Sequence, residues 1–538
     1  MKFIIRIILF VVISLSVVSP HQRAADNPLH NEEMTDEEFL DMVQELAFDF
    51  FWKEANPSNG LIRDRNTEWS PSSIASVGFG LTAIGIGIER GWITREEGRE
   101  RVRTTLETFW MKPQGRDPDG YIGYKGFYYH FIDMNTAFRV WESELSSIDT
   151  ALLLAGILYA KEYFADAHED EEAIRALADS IYHRVDWNWM RNWEPTLTMG
   201  WHPETGFIVH RWIGFNEAMI LYILAAGSPT HPLTDPVRSW NAWTSGYSWE
   251  THYGYQFVVF PPLFGHQYSH AWIDFRYIND AYMRNRGITY FENSRRATLA
   301  NREYCIENPG NFAGYGENVW GITASDIPGG YLARGAPPPM NDDGTIAPTA
   351  AGGSMPFTPD ESIAALRYMY EEFYDDLWDE YGFKDAFNLS ENWFASDYIG
   401  IDQGAIILMI ENYRTGHVWD VFMQNEDVQN GLQAVGFQPV TSVDEPDDNI
   451  PVQYKLEQNY PNPFNPATTI RYSIPETARV TITVHNVAGQ EVAVLVDEMK
   501  HAGDYEVHFS AGGLPSGVYF YSMRANDYSD KMKMLYLK

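Results

Sequence analysis

Seven carboxylates stand in loops or at helix starts crowded with aromatic rings: Asp133, Glu144, Asp149, Glu217, Asp274, Asp326 and Asp402. Paired carboxylates suit the cleavage of a glycosidic bond, where one protonates the leaving oxygen and the other activates water or attacks. Glu217 has the most telling neighbours. It heads Ala218-Met219-Ile220-Leu221-Tyr222-Ile223-Leu224-Ala225-Ala226, the wall of a buried helix, which closes in the turn Gly227-Ser228-Pro229-Thr230-His231-Pro232. A Glu in a first helical turn is also favoured by the helix dipole, with no chemistry implied. Yet Trp187, Trp189, Trp193, Trp201, Trp212, Trp240, Trp243 and Trp249 lie close on either side. Sugars stack their apolar faces on such rings while carboxylates take their hydroxyls.

Asp149 and Asp402 likewise open apolar helices, and Glu144 precedes the first of these. Each could serve only as a cap. Together they mean more, because a barrel of helix hairpins brings such helix ends to one mouth. Other chemistries lack their signatures: no phosphate-cradling glycine loop, dinucleotide fingerprint or Gly-x-Ser-x-Gly elbow is present. His266 and His270 have the spacing of a helical metal pair, but no Glu follows the first as a zinc protease would need. Cys305 is the single cysteine, so no intramolecular disulfide forms, and it reads as a small buried side chain. No cofactor is called for.

The elements that must position these groups fall into two parts. The chain has 538 residues, 15% of them aromatic, and a net charge of −35. That acidity argues against nucleic acid and anionic membrane as partners. The tail from Pro451 is close to balanced, with 8 basic and 9 acidic residues, so the excess belongs to the front. Lys2 and Arg6 followed by the uncharged run Ile7 to Val18 predict a signal peptide over residues 1–25 and no membrane span in the mature chain. Helices are predicted at 39–52, 72–90, 94–111, 145–164, 170–185, 217–226, 267–284, 292–306, 359–377 and 403–413, with little strand-like alternation among them. Inner helices apolar all round, paired with half-polar outer ones, predict a mainly α front part, a helical barrel over residues 26–442. An acidic linker, 443–453, follows. Beyond it the period changes to two at Thr469–Ile474, Val480–His485, Tyr505–Phe509 and Gly517–Met523, which predicts a small all-β, immunoglobulin-like sandwich of roughly seven strands over 454–538.

Five stretches in order, Gly126–Met134, Glu144–Ala151, Asn216–Met219 with Gly227–Pro232, Gln267–Asp274 and Asp343–Ala350, resemble the bacterial glucoamylase-like family, which includes endo-β-1,2-glucanases and a domain of cyclic β-1,2-glucan synthases. The resemblance spans about residues 37 to 425. It implies an (α/α)6 barrel and an inverting glycoside hydrolase with no metal, acting on a glucan and endo-acting on the β-1,2 linkage. The acid falls on Glu217 and the base is carried to Asp402. In such enzymes the base is thought to act through a substrate hydroxyl and water, so the carboxylate gap could exceed the ~6.5–9.5 Å of other inverting enzymes. His130, Glu144, Asp149, Gln267, Trp272, Arg276, Tyr315 and Trp320 would line the subsites. An exo-acting glucosidase or a transglycosylase is the rival within enzymes, and a surface glycan-binding protein the rival outside them. The tail, through Asn459–Pro466, Gly489–Val492 and Gly513–Tyr519, resembles the C-terminal sorting domain of type IX secretion. That implies contact with the secretion machinery and a passage through the periplasm to the cell surface or medium.

Overall fold

Inner helices cross so closely that glycine is required at the contact. In the computed structural model, helix Ile74–Glu89 is buried from Ile74 through Gly87 and packs on helix Ser147–Tyr163. A Cβ on Gly78 would meet the Leu152 carbonyl oxygen at 2.2 Å, and one on Gly156 would meet the Gly78 carbonyl oxygen at 2.0 Å. The small residues noted in the sequence therefore set a backbone-to-backbone crossing. The structure describes residues 34–440 and 454–538, apart from 457, 460, 475–477, 501–502 and 527. The predicted signal peptide and acidic linker lie outside the described residues.

The chain divides into two compact units, Met1–Pro439 and Val440–Lys538. In the first, Ser147–Tyr163 also packs on Met219–Gly227, whose nine residues are all buried. Ile74–Glu89 packs on Gly400–Arg414, which in turn meets Tyr268–Trp272 and Pro348–Gly352. Half-polar helices cover this layer: Asp36–Lys53 and Arg95–Met111, both opened by Thr-x-x-Glu capping boxes, with Glu169–His183 and Glu426–Ala434. Between inner and outer helices runs one continuous apolar core.

Two expectations need correction. The single helix predicted over 267–284 is two short ones, Tyr268–Trp272 and Ala281–Arg286. Asp280 caps the second through the Met283 amide, and Ile278–Asn279 between them pairs with Gln438–Pro439. Short strands are also common in this unit, including a five-stranded sheet ordered Gly123–Tyr124, Phe127–Tyr129, Leu145–Ser146, Gly200–His202 and Gly206–Phe207. Strands of two or three residues are too short to show a period.

The second unit has seven strands among its described residues. Ala467–Ile474 pairs with Lys455–Leu456 and Gly503–Ser510 in one sheet. The other runs Glu491–Lys500, Ala478–Asn486, Gly517–Ala525 and Tyr528–Tyr536. Alternate residues such as Val480, Ile482 and Val484 build a core of its own with Ile470, Tyr521 and Met534. Among the described residues no helix is long and apolar enough to cross a membrane.

Candidate active site

Asp149 is not the cap of its helix. Ser146 takes that role, its hydroxyl accepting from the Asp149 amide at 3.2 Å. The Asp149 carboxylate instead lies 3.7 Å from His130 Nε2, while Glu144 Oε1 is 3.1 Å from His130 Nδ1. The sheet that joins Tyr128 and Tyr129 to Ser146 and Leu145 delivers all three side chains, since His130 follows one strand and Glu144 precedes the other. Burial alone would lower the His130 pKa, but Asp149 and Glu144 overcome it and raise it to about 9. Ligand atoms of these three lie within 4.8 Å of one another, as do those of Asp179, His183 and Asp427. An imidazolium at His130 would have to lose its proton before it could ligate a cation.

Glu217 lies two residues before its helix, Met219–Gly227, so the expected place in the first turn is corrected. The Asn216 carboxamide accepts from the Ala218 amide at 3.0 Å, and the Ser269 hydroxyl bridges from the Ile220 amide to the Glu217 carbonyl. Those bonds fix the backbone while Glu217 Oε2 is buried without a partner in the fold. Burial raises its pKa to about 7, and the charge of Asp149 adds to the rise.

Asp402 sits in the first turn of Gly400–Arg414 and is buried. Its partner, which the sequence did not single out, is Asp385, just before strand Phe387–Asn388. Burial and their mutual proximity raise Asp402 well above the usual carboxylate range; burial and the charge of Asp326 bring Asp385 to about 7. Asp385 Oδ1 and Asp402 Oδ2 are both shut off from solvent with no donor from the surrounding fold. A proton held between two such carboxyls satisfies both. Asp385 Oδ2 accepts from the Asp326 amide at 2.7 Å. Asp326, on the hairpin Ser325–Ile327 with Gly330–Leu332, shares Arg65 with Asp397, at 3.0 and 2.8 Å. Asp64 beside it is raised by burial and feels both His130 and Asp149. The Tyr268 phenol feels Asp402, Glu217 and Asp385 together. A continuous electrostatic cluster thus joins Glu144, His130, Asp149 and Glu217 to Asp402 and Asp385.

Other expected site residues lie elsewhere. Gln267 is buried and donates to the Ala350 carbonyl and Ser354 hydroxyl; Trp272 is buried and donates to Thr82 Oγ1 at 2.9 Å; Trp320 is fully buried. Gln267 and Trp272 thereby tie neighbouring segments of the inner layer together, while the Trp320 indole N–H has no partner in the fold. Tyr315 donates to Asp342 at 2.6 Å, and Arg276 is paired with Asp274 at 2.9 Å and stacked 4.3 Å from the Trp419 ring centroid. Asp133 closes a turn through the amides of Asn135 and Thr136. His266 and His270 share the Ser294 hydroxyl, and burial drives both down to about 3, leaving them neutral. Of the residues that were missed, Asp385 carried one faint signal, a charge just ahead of the apolar Ala386-Phe387, and Arg65, between Asp64 and Asn66, carried none.

The model of the glycoamylase family, described as "Putative glucoamylase", matches residues 209–426. The crystal structure of a "putative glucoamylase" from Bacteroides uniformis is 38% identical over 76% of this chain and 99% of that one, with a TM-score of 0.70. The chain belongs to the glycoamylase family. A second solved member, the endo-β-1,2-glucanase of Chitinophaga pinensis in complex with sophorotriose and glucose, is 33% identical over 75% of this chain and 99% of its own, with a TM-score of 0.69. A curated relative of the glycoamylase-family unit, the exo β-1,2-glucooligosaccharide sophorohydrolase (non-reducing end) of Parabacteroides distasonis, is 38% identical over 436 residues. The match takes in 75% of this chain and spans 58% of the length of that relative. Behind the glycoamylase-family unit, residues 458–537 match the model of a secretion system C-terminal sorting domain.

Proposed function

We propose that the front unit is an inverting glycoside hydrolase that cleaves β-1,2-glucan internally, with Glu217 as general acid and Asp402 as general base. The observation that carries this reading is the pair of unlike carboxyl environments. Glu217, whose carboxyl is buried while the residue as a whole is partly open, keeps its proton to about pH 7 and has an oxygen without a partner in the fold, as a leaving glycosidic oxygen requires. Asp402 shares one proton with Asp385, so the pair holds a negative charge that can take a proton from water. His130, Glu144 and Asp149 would bind sugar hydroxyls beside the acid. The inner helices, each starting near this cluster, support an (α/α)6 barrel, and the tail sandwich an immunoglobulin-like one.

Linkage and endo action rest on relatives. The endo-β-1,2-glucanase from Chitinophaga is matched along almost its whole length, the exo-acting relative from Parabacteroides along little more than half. The latter name still favours a second reading, release of sophorose from chain ends. Export, with the tail engaging type IX secretion machinery and delivery to the surface or medium, completes the proposal. The test is incubation of the full mature chain with β-1,2-, β-1,3-, β-1,4- and α-1,4-glucans, following products by chromatography. Sophoro-oligosaccharides of mixed length from the β-1,2-glucan alone are expected. Sophorose alone from the first minutes would move the reading to exo action, and silence across the panel would refute hydrolysis of these glucans.

A further inference from the structure

Two exposed tryptophans flank an open cleft beside the candidate site. Trp69 and Trp141 are 87% and 69% exposed, in a protein that buries most of its other tryptophans. Both line a cleft of about 650 Å³ with Glu54, Arg63, Asp133 and Met134. Neither ring hangs on a slack loop. Arg63 donates to the carbonyls of Thr67 (3.1 Å) and Glu68 (2.7 Å), and Ser70 Oγ accepts from the Arg65 amide at 3.0 Å, so the loop carrying Trp69 is braced. Trp141 has φ +54°, a left-handed conformation costly for a bulky residue, and its ring meets Phe131 edge-on at 5.3 Å. The fold holds a strained backbone there while leaving the indole in water.

The cleft and the candidate site share their chain segments. Arg63 lines the cleft and its neighbours Asp64 and Arg65 enter the carboxylate cluster; Asp133 lines the cleft three residues after His130. Phe131, which meets Trp141, stacks on His130 at 3.9 Å. Strand Ser72–Ser73, paired with Phe131–Ile132, ties the two segments together. Two separate rings with charged and amide groups between them suit a chain of hydroxylated rings better than an apolar protein surface, which would need a contiguous patch.

We infer that this cleft is a remote carbohydrate-binding site, in which Trp69 and Trp141 stack sugar units of the same glucan chain that enters the carboxylate cluster. Its choice of ligand rests on the hydrolase reading above. The site would hold a long chain after or before the reacting bond, adding affinity that a short fragment does not receive.

The experiment uses the full mature chain and the variants Trp69→Ala, Trp141→Ala and both together, with Trp141→Tyr as the conservative form. KM is measured for long β-1,2-glucan and for the shortest oligosaccharide cleaved. In the double variant the ratio of the first to the second is expected to rise about tenfold, and Trp141→Tyr should restore most of it. An unchanged ratio, whether both values hold or both worsen alike, overturns the proposal. If the wild-type chain cleaves no glucan, the hydrolase reading has failed separately, and binding of the same glucans is read by tryptophan fluorescence. Binding lost in the double variant then supports the cleft, and absence of binding by the wild type overturns it.

Discussion

Replacing Glu217 by Gln tests acid and burial at once. The carboxyl keeps its proton to about pH 7, against an ordinary 4.5. In the unfolded chain it ionises first, so from pH 4.5 to 7 the native state binds more protons and stability falls as pH rises. At about 1.4 kcal/mol per pH unit the gap amounts to ~3 kcal/mol above pH 7, an upper value because Glu217 is only partly buried as a residue. Gln has nearly the same shape and does not ionise. With an unfolding entropy of roughly 2 cal/mol/K per residue, a unit of this size should gain up to ~3–4 °C in Tm at pH 8 over wild type and almost nothing at pH 4. Turnover of β-1,2-glucan should fall by roughly 10²–10⁴, the usual worth of a general acid. Calorimetry at the two pH values and initial rates on one preparation supply both numbers. A variant that loses stability equally at pH 4 and pH 8 would refute the reasoning, since Glu217 would then be held by contacts the fold needs. So would a stable variant that keeps wild-type turnover.

Asp385→Asn removes the like charge that raises Asp402, so the acid limb of the kcat/KM profile should move to lower pH, and a limb that stays put would separate Asp402 from the base role. His130→Asn removes a cation whose pKa is raised from 6.5 to about 9 by its carboxylates; its stabilisation is fully present below pH 6.5 and lost as pH rises through 9. The Tm deficit of that variant should therefore be largest near pH 6 and close by pH 10, as measured by circular dichroism. Gly78→Ala puts a methyl 2.2 Å from a helix carbonyl and should cost at least ~2 kcal/mol, visible as a lowered denaturant midpoint.

What the sequence disclosed is what chain neighbours decide. Glu144, Asp149 and Asp402 sit at the starts of buried segments, and the apolar runs behind them announce those starts. The tail strands Val480–His485 and Gly517–Met523 alternate cleanly because one face is buried. Asp385 escaped because its meaning lies in Asp402, seventeen residues on, and in a backbone amide from Asp326. Trp272 shows the converse: a tryptophan in a motif looks like a platform for a sugar until Thr82, remote in sequence, is seen to take its N–H. The break within 267–284 is invisible in the sequence because a run of mixed apolar residues does not reveal that Asp274 turns back on Arg276 and that Asp280 begins a new helix.

In the proposed hydrolase the cluster around Glu217 would also sort polymers before any bond is touched. Asp64, Glu144, Asp149, Asp326, Asp385, Asp397 and Asp402 converge there against the two cations Arg65 and His130. Even with protons shared, the surplus is negative, and the unit around it is acidic as well. A chain bearing carboxylate, phosphate or succinyl groups meets repulsion on approach, and added salt weakens it. An undecorated glucan carries no charge to repel. On that proposal the same residues that tune two carboxyls would act as a filter for neutral chains.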